Sequence, residues 1–281
     1  MEYMYDFHIH SQYSDGEDSI QEIIRKSIKN SIKKIGISDH WKTRRYTSDF
    51  YVNNVEKYFN DIDKIRMNYK NDIKVYIGLE IDYTDRYGEN ITQKNINEFN
   101  KLDYLLFEYV DTKYETWGLL NGKSIDTLIE LRKKLKCKVG LAHNNFYHNY
   151  KNNYEEILKL MGDYDIFLEL CETETVVLNK ITNNSLKRIA ALKKGASLNE
   201  IKYRNNKENN IKKHSMNGKY YFENFPNDIW RLIKLYNISI SLGTDNHKNE
   251  NIGSYNLIPQ YIQKYDLYDQ IIFGEKGDDL L

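Results

Sequence analysis

The sequence predicts an α/β fold whose parallel sheet closes into a barrel, and three observations predict it. Short β-branched or aromatic runs recur along the 281 residues, stretches of helical periodicity separate them, and residues with metal-binding chemistry stand where the runs stop. Seven strands are expected, over 4–10, 34–39, 74–82, 104–108, 138–142, 166–170 and 238–244. After the first, Ser19 and Glu22 have the spacing of a capping box, and Ile20, Ile23, Ile24 and Ile28 share one stripe of the helix that follows. Further helices are expected over 54–69, 125–135, 153–161 and 227–236. One barrel of roughly 250 residues accounts for most of this length, so 1–281 is read as a single domain. An irregular basic insertion, about 182–221, interrupts the rhythm with Lys187, Arg188, Lys193, Lys194 and Lys202 among its cations. It reads either as a surface helix and loop or as a lid facing an anionic substrate.

Composition excludes several classes of function. Lysine plus arginine equals aspartate plus glutamate at 41 each, so no global field draws in polyanions and nucleic-acid binding is not suggested. Cys137 and Cys171 are the only cysteines; they make neither a disulfide framework nor a zinc pair, which fits a reducing compartment. No signal peptide is expected, because Glu2 and Asp6 stand in the first residues without a basic stretch before an apolar core. No apolar run approaches the roughly 18 residues that span a bilayer. A cytoplasmic protein without membrane contact is the expectation, and oligomeric state is left open.

The chemistry concentrates at strand ends. Asp6-Phe7-His8-Ile9-His10 places two histidines at i and i+2 of an extended segment, on one face and within reach of one cation. His40 follows Ser38-Asp39, Glu80 follows Gly78-Leu79, His143 follows Leu141-Ala142, and Gly243-Thr244-Asp245-Asn246-His247 closes the last strand. Five of seven histidines occupy such places, and in a parallel barrel the loops after the strands meet at one mouth. A single histidine at a strand end is more often a hydrogen-bonded structural residue; the set together points to a metal centre. Mixed imidazole and carboxylate ligands suit zinc, manganese or iron, which the sequence does not separate.

In these motifs the chain resembles the PHP-domain (polymerase and histidinol phosphatase) metallophosphoesterases, closest in layout to the histidinol-phosphatase-like members, over nearly its whole length. The motifs that carry the resemblance are His8-x-His10, Asp15 in Tyr13-Ser14-Asp15-Gly16, Ser38-Asp39-His40, Glu80 after a glycine, His143, and Gly243-Thr244-Asp245-x-His247. The resemblance implies a distorted (β/α)7 TIM-like barrel and two to three divalent ions. It implies that His8, His10, Glu80 and Asp245 hold one ion, that Glu80 and His143 hold a second with Glu80 bridging, and that Asp15, His40 and His247 hold a third. The chain departs from the pattern where such phosphatases carry another histidine after the fourth strand. Here Glu108 ends that strand, either as a carboxylate ligand of the second ion or as an ordinary charge at the mouth. The implied activity is hydrolysis of a small phosphorylated metabolite by an activated water, with Glu80 and Asp245 as the catalytic carboxylates. Histidinol phosphate is the named substrate candidate, and phosphotyrosine, nucleotides and sugar phosphates are its rivals. Alternatives are a PHP-type phosphodiesterase or exonuclease and a non-catalytic metal-binding domain. Arg44, Arg45 and Lys248 are candidates to clamp phosphate, set against a reading as solvated surface charge.

Overall fold

The computed structural model describes residues 5–44, 48–85, 88–114, 120–172, 220–248 and 251–274. Its strands are β1 (Tyr5–Ile9), β2 (Lys34–Ile37), β3 (His40–Trp41), β4 (Lys74–Asp82), β5 (Tyr104–Glu108), β6 (Lys113–Tyr114), β7 (Leu120–Asn121), β8 (Lys138–Leu141), β9 (Ile166–Cys171) and β10 (Ile240–Gly243). The helices are α1 (Ile20–Lys29), α2 (Val55–Asn68), α3 (Gln93–Phe99), α4 (Ile125–Arg132), α5 (Phe146–Asn149), α6 (Tyr154–Asp163), α7 (Asn227–Leu235) and α8 (Ile258–Tyr265). Seven strands run parallel in the order β1-β2-β4-β5-β8-β9-β10. Just past the strand ends, Ile9 bridges Asn246, and His10 N donates to Asn246 O at 2.8 Å, which brings the last strand back to the first. The sheet is therefore a nearly closed parallel barrel with helices around it, as the alternation of strand and helix predicts.

Local chemistry explains the boundaries. At α1, Ser19 Oγ accepts from Glu22 N while Glu22 Oε2 accepts from Ser19 N at 2.8 Å, so two otherwise orphaned amides are satisfied reciprocally. Ile20, Ile23 and Ile24 bury the predicted stripe. Three helices have no counterpart in the sequence reading. Thr92 caps α3 with Asn95 in place of the usual Glu or Gln, and α5 is a single short turn. The amides that open α8 are satisfied from far away in the chain: Glu172 accepts from Asn256 N at 2.7 Å and from Leu257 N and Ile258 N at 2.6 Å.

The barrel floor is filled by Tyr104, whose hydroxyl donates to Phe7 O at 2.8 Å. A Cβ at Gly36 would stand 2.3 Å from that hydroxyl, and one at Gly78 2.4 Å from the same ring, so the glycines of β2 and β4 make room for it. Trp41 is buried edge-on against Phe99 at 5.0 Å between ring centroids, which makes it a core residue. Arg45 and residues 182–219 of the predicted insertion lie outside the described residues. No described helix is long and apolar enough to cross a membrane.

Candidate metal centre

Register brings the candidate ligands together. β2 pairs with β4 up to Ile37↔Ile77, breaks for Ser38 and Asp39, and resumes as β3 with His40 directly beside Glu80. One strand farther, Asp82 stands beside Glu108, so Glu80 and Glu108 face the same side two residues apart in level. In β1 the register with β2 slips by one residue between Asp6 and Ile9, a bulge of the kind that re-aims a side chain next to a site. His8 and His10 leave it with their Nε2 atoms 3.1 Å apart.

Glu80, 1% exposed, is the hub. Its Oε2 lies 3.4 Å from His8 Nε2, 3.3 Å from His10 Nε2 and 3.2 Å from His40 Nδ1, while Oε1 lies 2.9 Å from His143 Nε2. Asp245 Oδ1 stands 3.5 Å from His8 Nε2 and 3.2 Å from His10 Nε2. Ligands of a tetrahedral first-row dication, at about 2.0–2.2 Å from the ion, are about 3.3–3.6 Å from one another. His8 Nε2, His10 Nε2 and Asp245 Oδ1 have nearly that spacing, and Glu80 Oε2 keeps it to both histidines. Beside them, His10, Asp15, His40 and His247 form a second group, His8, Glu80 and His143 a third, and His40, Glu80 and Glu108 a fourth, each with donor atoms within 4.8 Å of one another. Glu108 Oε1 is also 3.9 Å from His143 Nε2. The predicted ligands thus all converge, with differences in grouping: His10 also faces Asp15, His8 also joins Glu80 and His143, Glu80 is not grouped with Asp245, and Glu108 neighbours His40 as well as His143.

Buried acceptors position the ligands. His8 Nδ1 is 2.7 Å from Glu169 Oε1, and because a carboxylate only accepts, the proton sits on Nδ1 and Nε2 is free to point its lone pair into the cluster. His247 Nδ1 donates to the Asp245 carbonyl at 2.9 Å with the same consequence. Asp39, which directly precedes His40, is fully buried and accepts from Ser11 N and Oγ at 2.7 Å and from Ser14 Oγ at 2.6 Å, which fixes the loop carrying Asp15. Asp6 does likewise for the last loop, accepting from Thr244 Oγ1 at 2.6 Å and Gly253 N at 2.9 Å, and burial pushes its carboxyl up to about 6 despite those bonds. His143 and Asp245 leave their strands with φ of 26° and 51°, conformations that cost non-glycine residues about 1–3 kcal/mol and gather at functional sites.

The electrostatics fit a cation. Burial opposes charge on His8, yet Glu169, Glu80 and Asp245 hold its pKa well above the ordinary value. Burial opposes charge on His10 too, and hydrogen bonds to Asp245 and Glu80 overcome it and push the pKa up to about 10; for His143, Glu80 overcomes burial and the value is about 9. Burial would raise Glu80, but His8, His40, His10 and His143 hold it well below the usual carboxylate range, and Asp245 and Asp15 are depressed by their histidines in the same way. Asp15 Oδ1 is buried with no hydrogen-bond partner among the described residues. A cation at this cluster competes with protons for the same imidazole nitrogens.

From sequence, Glu169 is no better placed than Glu172 or Glu174 to support the mouth, and Asp6 has no assigned role. A signal for Glu169 exists, since it is the one charge inside the apolar run Ile166-Phe167-Leu168-Glu169-Leu170-Cys171. Arg44 is exposed and pairs with Glu89 at 3.2 Å, and Lys248 is exposed and pairs with Glu17 at 2.8 Å. His148, set apart from the motifs by sequence, is exposed in α5.

The sequence pattern of the PHP domain family matches residues 6–173. The histidinol-phosphatase of Lactococcus lactis is 29% identical over 89 residues, 31% of this chain and 33% of that protein, so the match spans a third of the relative's length. The probable histidinol-phosphatase of Clostridium acetobutylicum is 26% identical over 202 residues, 59% of this chain and 72% of that protein. The crystal structure of histidinol phosphate phosphatase from Lactococcus lactis, complexed with zinc, L-histidinol and phosphate, superposes with a TM-score of 0.52 at 14% identity over 93% of each chain. At that identity the likeness is one of fold.

Proposed function

The chain belongs to the PHP domain family, and we propose that it is a metal-dependent phosphomonoesterase acting on a small phosphorylated metabolite, with histidinol phosphate as the first substrate to test. The observation that carries this reading is the convergence of His8, His10, His40 and His143 on the buried carboxylate of Glu80. In it, His8, His10, Glu80 and Asp245 bind one cation, Glu80 and His143 with Glu108 bind a second, and Asp15, His40 and His247 bind a third. Zinc, manganese or iron held there supplies Lewis acidity to a phosphoryl oxygen and makes a water acidic enough to act as nucleophile near neutral pH.

The protein's own groups do the rest. Glu80 turns Oε2 to His8, His10 and His40 and Oε1 to His143, so one carboxylate would serve the first two cations together. Asp15, Glu80, Glu108 and Asp245 do not neutralise three dications, and the positive remainder attracts a phosphate dianion. His8 and His10 are buried on the floor whereas the His247 side chain is 36% exposed, so substrate approaches from the His247 side. Asp39 and Asp6 hold the two loops of the mouth in place before substrate arrives, which spares reorganisation during reaction. Lys248, next to His247, reaches a phosphate there by giving up Glu17, an exposed partner that contributes little. Arg44 and Arg45 are the other phosphate clamps in this reading.

A panel of histidinol phosphate, phosphotyrosine, nucleoside monophosphates and sugar phosphates, assayed with added manganese or zinc, tests the proposal. Release of inorganic phosphate from at least one class is expected. Inactivity on every monoester, with nucleotide release from single-stranded DNA, would replace it by the phosphodiesterase reading.

A further inference from the structure

The carboxylate of Glu169 contacts none of the open positions of the cluster, yet it spans two of the groups. Oε1 accepts from His8 Nδ1 at 2.7 Å, and Oε2 accepts from the backbone N–H of His143 at 2.5 Å. The side chain is buried, and its room is made by Gly243: a Cβ there would stand 2.2 Å from Glu169 Oε1 and 2.7 Å from His8 Cβ. His143 is the residue with φ of 26°, so the second contact pins the backbone where its conformation is least favourable.

We propose that Glu169 is a positioning residue which fixes His8 as the Nδ1–H tautomer and His143 at its strained strand exit, thereby tuning the cation groups that contain His8 while leaving that of Asp15, His40 and His247 untouched. This rests on the metal-dependent reading above. The reason is a matter of donors and acceptors. His143 N–H is a donor that cannot change, so whatever replaces Glu169 must offer it an acceptor. Glutamine at 169 has one acceptor oxygen and one NH2. With the oxygen committed to His143, the NH2 faces His8 Nδ1, which must then accept, and the ring proton moves to Nε2. Nε2 is the atom that points at His10, Glu80 and Asp245, and a protonated nitrogen has no lone pair for a cation. Glu169→Gln keeps the volume of the side chain and inverts the polarity of a ligand.

Calorimetric titration of zinc into metal-stripped protein provides the test. For Glu169→Gln, the affinity of the ions held by His8 is expected to fall about 10–100-fold, the usual effect of losing such an outer hydrogen bond, while the remaining binding step keeps its affinity. A role in packing alone would lower the melting temperature and leave every affinity as in the wild type. Long-range proton–nitrogen NMR of the zinc-loaded wild type decides the matter even if the variant does not fold: the His8 proton is expected on Nδ1, and a proton on Nε2 would overturn the proposal. Wild-type protein that takes up no zinc refutes both the functional reading and this one. Wild type that binds zinc with a variant indistinguishable from it refutes only the role of Glu169.

Discussion

Glu80→Gln lowers turnover of the best phosphomonoester by at least about 10²-fold, the loss typical of removing a single electrostatic contact to developing charge in a preorganised site. The expectation follows from the position of Glu80 between four imidazoles at 2.9–3.4 Å. Glutamine preserves shape but removes a negative charge and introduces an NH2 donor among ring nitrogens that present lone pairs to a cation. Two ion positions share the residue in the proposed arrangement, so both weaken. In the cation-free protein the same change leaves buried, protonated histidines short of a partner, and removing one member of a buried ion pair costs about 3–5 kcal/mol. Measuring kcat and the melting temperature together separates the effects: both fall for Glu80→Gln, whereas Glu130→Gln, exposed on α4, changes neither appreciably. Full activity in Glu80→Gln would remove the hub from the account.

Chelation gives the second large effect. A cation present at 100 times its dissociation constant stabilises the fold by about 2.7 kcal/mol. At about 2–4 °C per kcal/mol for a domain approaching this size, stripping one such ion lowers the melting temperature by roughly 5–10 °C, and stripping more lowers it further. Phosphatase activity falls to background in parallel. Because the donors mix imidazole with carboxylate, zinc, manganese or iron(II) restores both properties while calcium, which takes all-oxygen sites, does not. Stability and activity that are indifferent to chelator would contradict the prediction.

Much of this was legible in the sequence for an identifiable reason. A parallel barrel ties position in the chain to position in space: a residue that ends a strand is at the mouth, so His8, His10, His40, Glu80, Glu108, His143, Asp245 and His247 could be collected without coordinates. Asp15, in a loop, was reached only through the resemblance of its motif. What escaped the sequence depends on partners distant in the chain. Glu172 caps α8 from more than 80 residues away, and the local signal there is Pro259 in the first turn and not an N-cap side chain. Glu169 and Asp6 are single carboxylates within apolar runs, and only the fold shows that one meets His8 and His143 and the other Thr244 and Gly253. Asp39 is the converse case: it stands in a motif next to His40, and three hydrogen bonds from Ser11 and Ser14 commit it to holding a loop.

Elemental analysis of protein purified without chelator tests the metal centre most directly. About two to three divalent transition-metal ions per chain are expected from the number of converging ligands. Protein that carries none, and takes up none when zinc or manganese is added, would contradict the account.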